Sequence, residues 1–246
     1  MTLTKTIYES QLWYPPAVPS AWDDEFDGAV LDPKWTQTGT FDFTVPPQIG
    51  ASFTAGNIRC SLTRRKSWLR VQPPASGSMS HALYQYPIGS GSEIPDGRYM
   101  VRLGGTHRYA TVGTFPEATY RLELLASTGT QGNFSIYWQD PAQGGGITAI
   151  VQEASVDRQI RHYGGDKGFE MRWSYLCFIK KSGVYTGWCR GENGTWGHLF
   201  THTYPSYGGG TVDRVRMGFG NRLTTDPGNM EMEIDFFRYS AETELP

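Results

Sequence analysis

Three cysteines in 246 residues are too few, and too irregularly spaced, for a disulfide framework or a metal-ligand motif, so Cys60, Cys177 and Cys189 are read as free buried thiols. A bond between Cys177 and Cys189 would need a three-residue hairpin loop between their strands. Charge of one sign is also lacking. The formal net charge of -2 and the pI near 6.2 give no broad pull toward nucleic acid or an anionic membrane. No apolar run approaches a membrane span, and Met1 to Pro16 holds none suited to a signal peptide. The chain is therefore expected to be made and left in a cytoplasm, without membrane insertion.

Capped amphipathic segments of helical length are missing too, and the one helical candidate is Ser155 to Tyr163. The chemistry-bearing motifs are equally sparse. The five histidines, His81, His107, His162, His198 and His202, come without a Gly-x-Ser-x-Gly elbow and are expected at the surface. The glycine triplets at 144–146 and 208–210 lack a following helix and a Lys-Ser/Thr pair, and read as loop tips.

What the chain does have is aromatics and turn formers: 8 Trp, 14 Tyr, 30 Gly and 15 Pro favour short strands joined by turns. Trp173 to Phe200 shows the pattern best. A strand from Trp173 to Lys180 is followed by the turn Ser182-Gly183, a strand from Val184 to Cys189, the break Gly191 to Gly194 and a third strand from Thr195 to Thr203. In the first of these, Trp173, Tyr175, Cys177 and Ile179 share one face and Leu176 and Phe178 the other. Both faces are largely apolar, as in a strand covered on both sides or one with its second face in an aromatic groove.

Further strands are expected at Phe41–Val45, Asn57–Leu62, Trp68–Gln72, His81–Tyr86, Arg98–Leu103, Tyr120–Ala126, Phe134–Gln139, Ile147–Glu153, Val212–Phe219 and Glu231–Tyr239. So many short strands at close intervals predict an all-β protein, an antiparallel two-sheet β-sandwich of jelly-roll type spanning residues 21–246. Residues 1–20, with Leu12, Trp13, Tyr14, Pro15, Pro16 and Pro19, read as an extended N-terminal arm that folds back or docks on a neighbour.

Several stretches resemble a known family. Acidic-Phe-Asp-Gly at Glu25–Gly28 and Leu31-Asp-Pro-Lys-Trp35 are similar to the opening of concanavalin A-like (laminin G-like, glucanase-like) jelly-roll domains, including those in structural proteins of tailed bacteriophages. Asp96 to Arg102, the Trp173–Phe200 meander and Glu233 to Tyr239 are similar to later strands of that family. The resemblance implies a virion structural protein, a head or tail fibre, knob or capsid decoration subunit. It would be made without a signal peptide, attach to other virion proteins through its arm, and bind host-surface polysaccharide without catalysis. A trimer follows by analogy with fibres and knobs. The alternative it implies is a glycoside hydrolase or polysaccharide lyase.

Candidate residues follow from strand alternation. Glu231, Glu233 and Asp235 fall on one face of the last strand, opposite Met232, Ile234 and Phe236, and would serve the hydrolase alternative. Arg98, Arg102, Arg121, Glu123 and Arg172 alternate on other strands, and an ion-pair lattice over an exposed sheet face is the favoured account of all these charges. For sugar stacking the candidates are Tyr137, Trp173, Tyr185, Trp188 and Trp196, while Trp138 falls with Phe134 and Ile136 and is expected in the core. No cofactor is required. The family's calcium sites point to Asp23, Asp24, Asp27 and Asp235 as ligands, against turn formation by the same aspartates.

Overall fold

The computed structural model describes residues 20–47, 57–63, 68–72, 78–86, 92–107, 118–126, 132–139, 146–154, 156–163, 174–191, 194–205, 210–221 and 230–246. Residues 1–19 of the N-terminal arm lie outside them. Fifteen strands run in chain order. They are β1 (Thr36–Thr38), β2 (Thr40–Asp42), β3 (Asn57–Ser61), β4 (Leu69–Gln72), β5 (Ser78–Gln85), β6 (Gly97–His107), β7 (Ala118–Ala126) and β8 (Gly132–Gln139). Next come β9 (Gly146–Glu153), β10 (Val156–Tyr163), β11 (Ser174–Lys181), β12 (Val184–Gly191), β13 (Gly197–Thr203), β14 (Val212–Asn221) and β15 (Met230–Ser240).

They form two sheets: seven strands in the order β1-β5-β14-β7-β8-β9-β10, and eight in the order β13-β12-β11-β6-β15-β4-β3-β2. Pairing is antiparallel throughout except between β2 and β3. This is the expected two-sheet jelly roll, and no helix occurs among the described residues. Of the helix candidate Ser155 to Tyr163, the stretch Val156–Tyr163 is corrected to strand β10, paired with β9 from Val156↔Glu153 to Tyr163↔Ile147. Its backbone is satisfied by a ladder with β9 that sequence spacing does not reveal.

The core between the sheets takes alternate residues from each: Tyr120, Leu122 and Leu124 from β7, Phe134 and Ile136 from β8, Tyr99, Val101 and Leu103 from β6, and Leu176 and Phe178 from β11. Across it, Phe134 and Tyr185 stack with centroids 4.3 Å apart and planes 7° from parallel. His81 is also buried and meets Phe41 edge to face, which corrects its expected surface position. A second, smaller cluster on the outer face of the eight-stranded sheet gathers Met100, Tyr175, Cys177, Ile179 and Phe236. The first strand of the meander is therefore apolar on both faces because both are covered.

Residues that open the chain and close it meet. Asp24 bridges backbone to backbone with Phe237, and its buried carboxylate accepts the Phe26 amide at 2.7 Å and the Trp35 indole N–H at 2.6 Å. The Glu-Phe-Asp-Gly and Leu-Asp-Pro-Lys-Trp stretches thus act as a clasp on β15. Burial raises the Asp24 carboxyl above its ordinary range, opposed by those two hydrogen bonds.

In β15 the register shifts between Ile234 and Phe236 against β6. This bulge corrects the simple alternation: Phe237 points into the main core, while Phe236 joins the outer cluster. Ser182 (φ 49°) and Gly183 (φ 77°) form the two-residue turn of the β11–β12 hairpin, of the kind that matches strand twist. With that loop Cys177 opposes Trp188 and Cys189 opposes Leu176, so the two thiols face opposite sides of the sheet and all three cysteines are free.

Candidate functional site

The outer face of the seven-stranded sheet carries one row of polar side chains in direct cross-strand register. Tyr84 of β5 opposes Arg216 of β14, Arg216 opposes Glu123 of β7, and Glu123 opposes Ser135 of β8. They are also bonded. The Glu123 carboxylate accepts the Ser135 hydroxyl at 2.8 Å and the Arg216 Nε–H, with Arg121 3.9 Å away. Arg216 Nη1 reaches the Tyr84 hydroxyl at 3.4 Å.

From Ser135 the row continues diagonally. Its hydroxyl also contacts Asn133, whose amide donates to Gln152 at 3.3 Å, and Gln152 donates to Asp157 at 2.6 Å. The strip so formed crosses β5, β14, β7, β8, β9 and β10, five interstrand steps or roughly 24 Å.

At the strip's β5 end Tyr84 and Tyr86 lie side by side, 6.3 Å between centroids and 20° between planes, with Arg216 over one ring and Arg214 over the other. Tyr86 is exposed and Tyr84 half-buried. Glu123 and Ser135 are fully buried, so this carboxylate meets protein donors in place of water. Burial lowers the Arg216 guanidinium, but the adjacent Glu123 charge and hydrogen bond outweigh it and hold that guanidinium above its ordinary value. The result is a fixed carboxylate at the middle of an aromatic and amide-rich strip, suited to a polyhydroxylated chain that needs flat faces and paired donors and acceptors.

The acids expected on β15 lie on the other sheet. Glu233 pairs with Arg70 at 3.2 Å, and buried Asp235 pairs with Arg102 at 2.6 Å. With Arg98–Glu242 and Arg238–Glu25 these make a set of ion pairs, but Arg98, Arg102, Glu233, Asp235 and Arg238 are buried and Arg121 and Glu123 lie on the other sheet, which corrects the expected lattice over an exposed face. The side chains of Glu231 and Tyr137, and the whole of Trp173 and Arg172, lie outside the described residues.

Among the stacking candidates, Tyr185 is corrected: it is buried against Phe134, Tyr204 and the main core, leaving no ring face for a ligand. Trp188 and Trp196 are half-buried on the outer face of the eight-stranded sheet, against the smaller apolar cluster. Trp188 donates its indole N–H to Thr186 at 3.2 Å and lines a groove of about 490 Å³ with Ile179, Val184, Thr186 and Leu245.

The calcium candidates do not converge. Asp23 accepts the Tyr239 amide and the Ser20 hydroxyl, each at 2.7 Å, while Asp24 serves the clasp, Asp27 is exposed and Asp235 holds Arg102. Among the described residues no group of three or more His, Cys, Asp or Glu side chains is arranged to hold a metal. The expected proximity of first and last elements is real, but it fills these carboxylates with backbone and side-chain donors.

Sequence reasoning placed Arg121 and Glu123 in a generic lattice and overlooked Tyr84, Tyr86, Ser135 and Arg216. The available signal was alternation in His81–Tyr86 and Tyr120–Ala126. It could not show that β14, some ninety residues downstream of β7, lies between β5 and β7.

No protein-family model matches the sequence, and no curated protein matches it. Solved structures do. A variant of the GH43 protein BlXynB from Bacillus licheniformis superposes with a TM-score of 0.59 at 14% identity, over 92% of this chain and 41% of that one. The chain thus spans about two fifths of that protein. A Bacillus licheniformis beta-glucanase matches at TM-score 0.54 and 10% identity, over 92% of this chain and all of that one. The CBM2 module of the evolved Dit of Lactobacillus casei BL23 phage J-1 matches at TM-score 0.54 and 10% identity, over 90% of this chain and 96% of the module.

At such identities the likeness establishes the fold: a concanavalin A-like, glucanase-like jelly roll. It also corrects the expectation that the chain is not an enzyme, because the solved structures sharing its fold include several named glucanases and glycoside hydrolases.

Proposed function

We propose that this protein acts on a polysaccharide, seating the sugar chain along the outer face of the seven-stranded sheet, where water cleaves the glycosidic bond, its hydroxyl going to the anomeric carbon and its proton to the leaving oxygen, with Glu123 as the carboxylate of the site. Support comes above all from Glu123 itself, fully buried, bonded by Ser135 and Arg216 and central in a strip that ends in two adjacent tyrosine rings. A carboxylate fixed in this way opposes the positive charge that develops on the anomeric carbon as the bond breaks. Tyr84 and Tyr86 form the stacking subsite. The glucanases among the structural neighbours make β-glucans the first substrates to try.

The test is incubation with a panel of β-glucans, xylans and bacterial polysaccharides, scoring new reducing ends. Glu123→Gln is expected to lower the rate by roughly 10²–10⁴-fold with folding intact. Tyr86→Ala is expected to raise KM more than it lowers kcat. Absence of product from every polysaccharide, or an undiminished rate in Glu123→Gln, defeats the reading.

A second reading adds location: the protein rides on a tailed-phage particle, arm toward other virion proteins and sandwich toward the host glycan. Its support is the phage-like opening around Glu25–Trp35 and the likeness to the phage J-1 Dit module. Mass spectrometry and electron microscopy of purified particles test it, and a particle without this chain ends it. On this reading the protein is a trimer, which light scattering on the eluted protein checks.

A further inference from the structure

On the outer face of the eight-stranded sheet Arg70, Arg98, Arg102 and Arg238 each have a carboxylate partner. Arg190 differs. It opposes Tyr175 across β11 and β12, and among the described residues it has no carboxylate within pairing distance. Its guanidinium lies instead between two rings, 5.4 Å from the Tyr175 centroid and 5.8 Å from that of Trp196. Among the described residues Arg190 Nε and Trp196 Nε1 are buried donors without an acceptor.

This combination asks for an anion. A guanidinium stays charged at any physiological pH, and two ring faces remove part of its hydration without supplying a negative partner. The planar fork of arginine fits an oxyanion, while an adjoining indole offers a face for a sugar ring. Arg190 and Trp196 are both half-buried and therefore within reach of a ligand.

We infer that Arg190, Tyr175 and Trp196 form a second carbohydrate site, on the sheet opposite Glu123, for a sugar bearing an oxyanion. The oxyanion, a uronic-acid carboxylate or a sugar phosphate, pairs with the Arg190 guanidinium, and the sugar ring lies against Trp196. This site is independent of hydrolysis at Glu123 and stands or falls separately.

The experiment is titration of the full chain with oligogalacturonate, with mannose 6-phosphate and with a neutral gluco-oligosaccharide, following tryptophan fluorescence. Binding of either anionic probe, weakened roughly tenfold or more by Arg190→Gln and unchanged in Glu123→Gln, is the expected result. The probe that binds identifies the source of the oxyanion. Arg190→Lys, which keeps the charge but loses the fork, is expected to fall between, and Trp196→Phe to weaken both binding and the fluorescence change. Thermal midpoints of the variants check that they fold. Failure of both anionic probes at millimolar concentration, or equal binding by parent and Arg190→Gln, overturns the assignment, as does a neutral sugar binding as tightly at this site. Continued polysaccharide cleavage in those cases would leave the role of Glu123 standing.

Discussion

Phe134 and Tyr185 lie ring on ring across the core, 4.3 Å apart, one from each sheet. Both are essentially fully buried, so the pair joins the two sheets at a point where no water can refill a void. Phe134→Ala is expected to lower the unfolding free energy by about 3–5 kcal/mol, with Phe134→Leu costing much less. Urea denaturation followed by tryptophan fluorescence measures both. A loss under about 1 kcal/mol for the alanine variant would mean that the stack is not a fixed part of the core.

Removing Arg216 takes away the cation bonded to buried Glu123 and leaves Arg121 3.9 Å away. Arg216→Met is expected to destabilise the protein by about 3–5 kcal/mol, and Glu123→Gln in the same chain to restore most of that loss. The double-mutant cycle in denaturant tests this, and strict additivity of the two changes would deny the coupling.

Asp96 is a junction at one end of the sandwich: its carboxylate takes Lys180 Nζ at 2.6 Å and the Ser182 amide at 2.7 Å, and its carbonyl takes the Tyr239 hydroxyl at 2.7 Å. Burial works to raise its carboxyl, but Lys180 and Ser182 prevail and hold it below the ordinary value. A folded-state pKa below the unfolded one gives stability that is present above the unfolded pKa and lost as pH falls through the folded one. Stability is therefore expected to drop as pH falls below about 4, with a shallower acid limb in Asp96→Asn. Identical acid limbs in parent and variant would remove Asp96 from the account. The carboxylate is partly exposed, so salt should weaken its share.

The three thiols should be silent in the native state. Burial pushes Cys177 and Cys189 up to about 12 and Cys60 well above the usual thiol value, leaving almost no thiolate at neutral pH. A colorimetric thiol reagent is expected to react with none of them until denaturant is added, and then with all three. Rapid reaction of one thiol in the folded protein would contradict this burial.

Gly187 lies under the Phe200 ring, where an added Cβ would come within 2.3 Å of Cε1. Gly187→Ala is expected to cost about 1–3 kcal/mol through displacement of that ring from the core, read as a lower denaturant midpoint. Gly191→Ala, with open space around it, serves as the control.

Local pattern alone determined much of this molecule. Period-two alternation in Tyr120–Ala126 and Phe134–Gln139 set the strands, because a strand's side chains alternate whatever its neighbours are, whereas the meander's first strand, apolar on both faces, left its inward face open. Ser182-Gly183 set the hairpin, since its dihedrals are those that a two-residue loop demands. The opening motif marked the jelly roll, and Asp24, Trp35 and Phe237 now supply its physical reason. Tertiary structure alone decided the rest. The bulge at Asp235 turned Phe236 outward, and pairing with β9 made a strand of Val156–Tyr163. Packing against Phe134 took Tyr185 into the core. Above all, strand order brought Tyr84, Arg216, Glu123 and Ser135 into one row, and sequence carries no local mark of which strands will be neighbours across long loops.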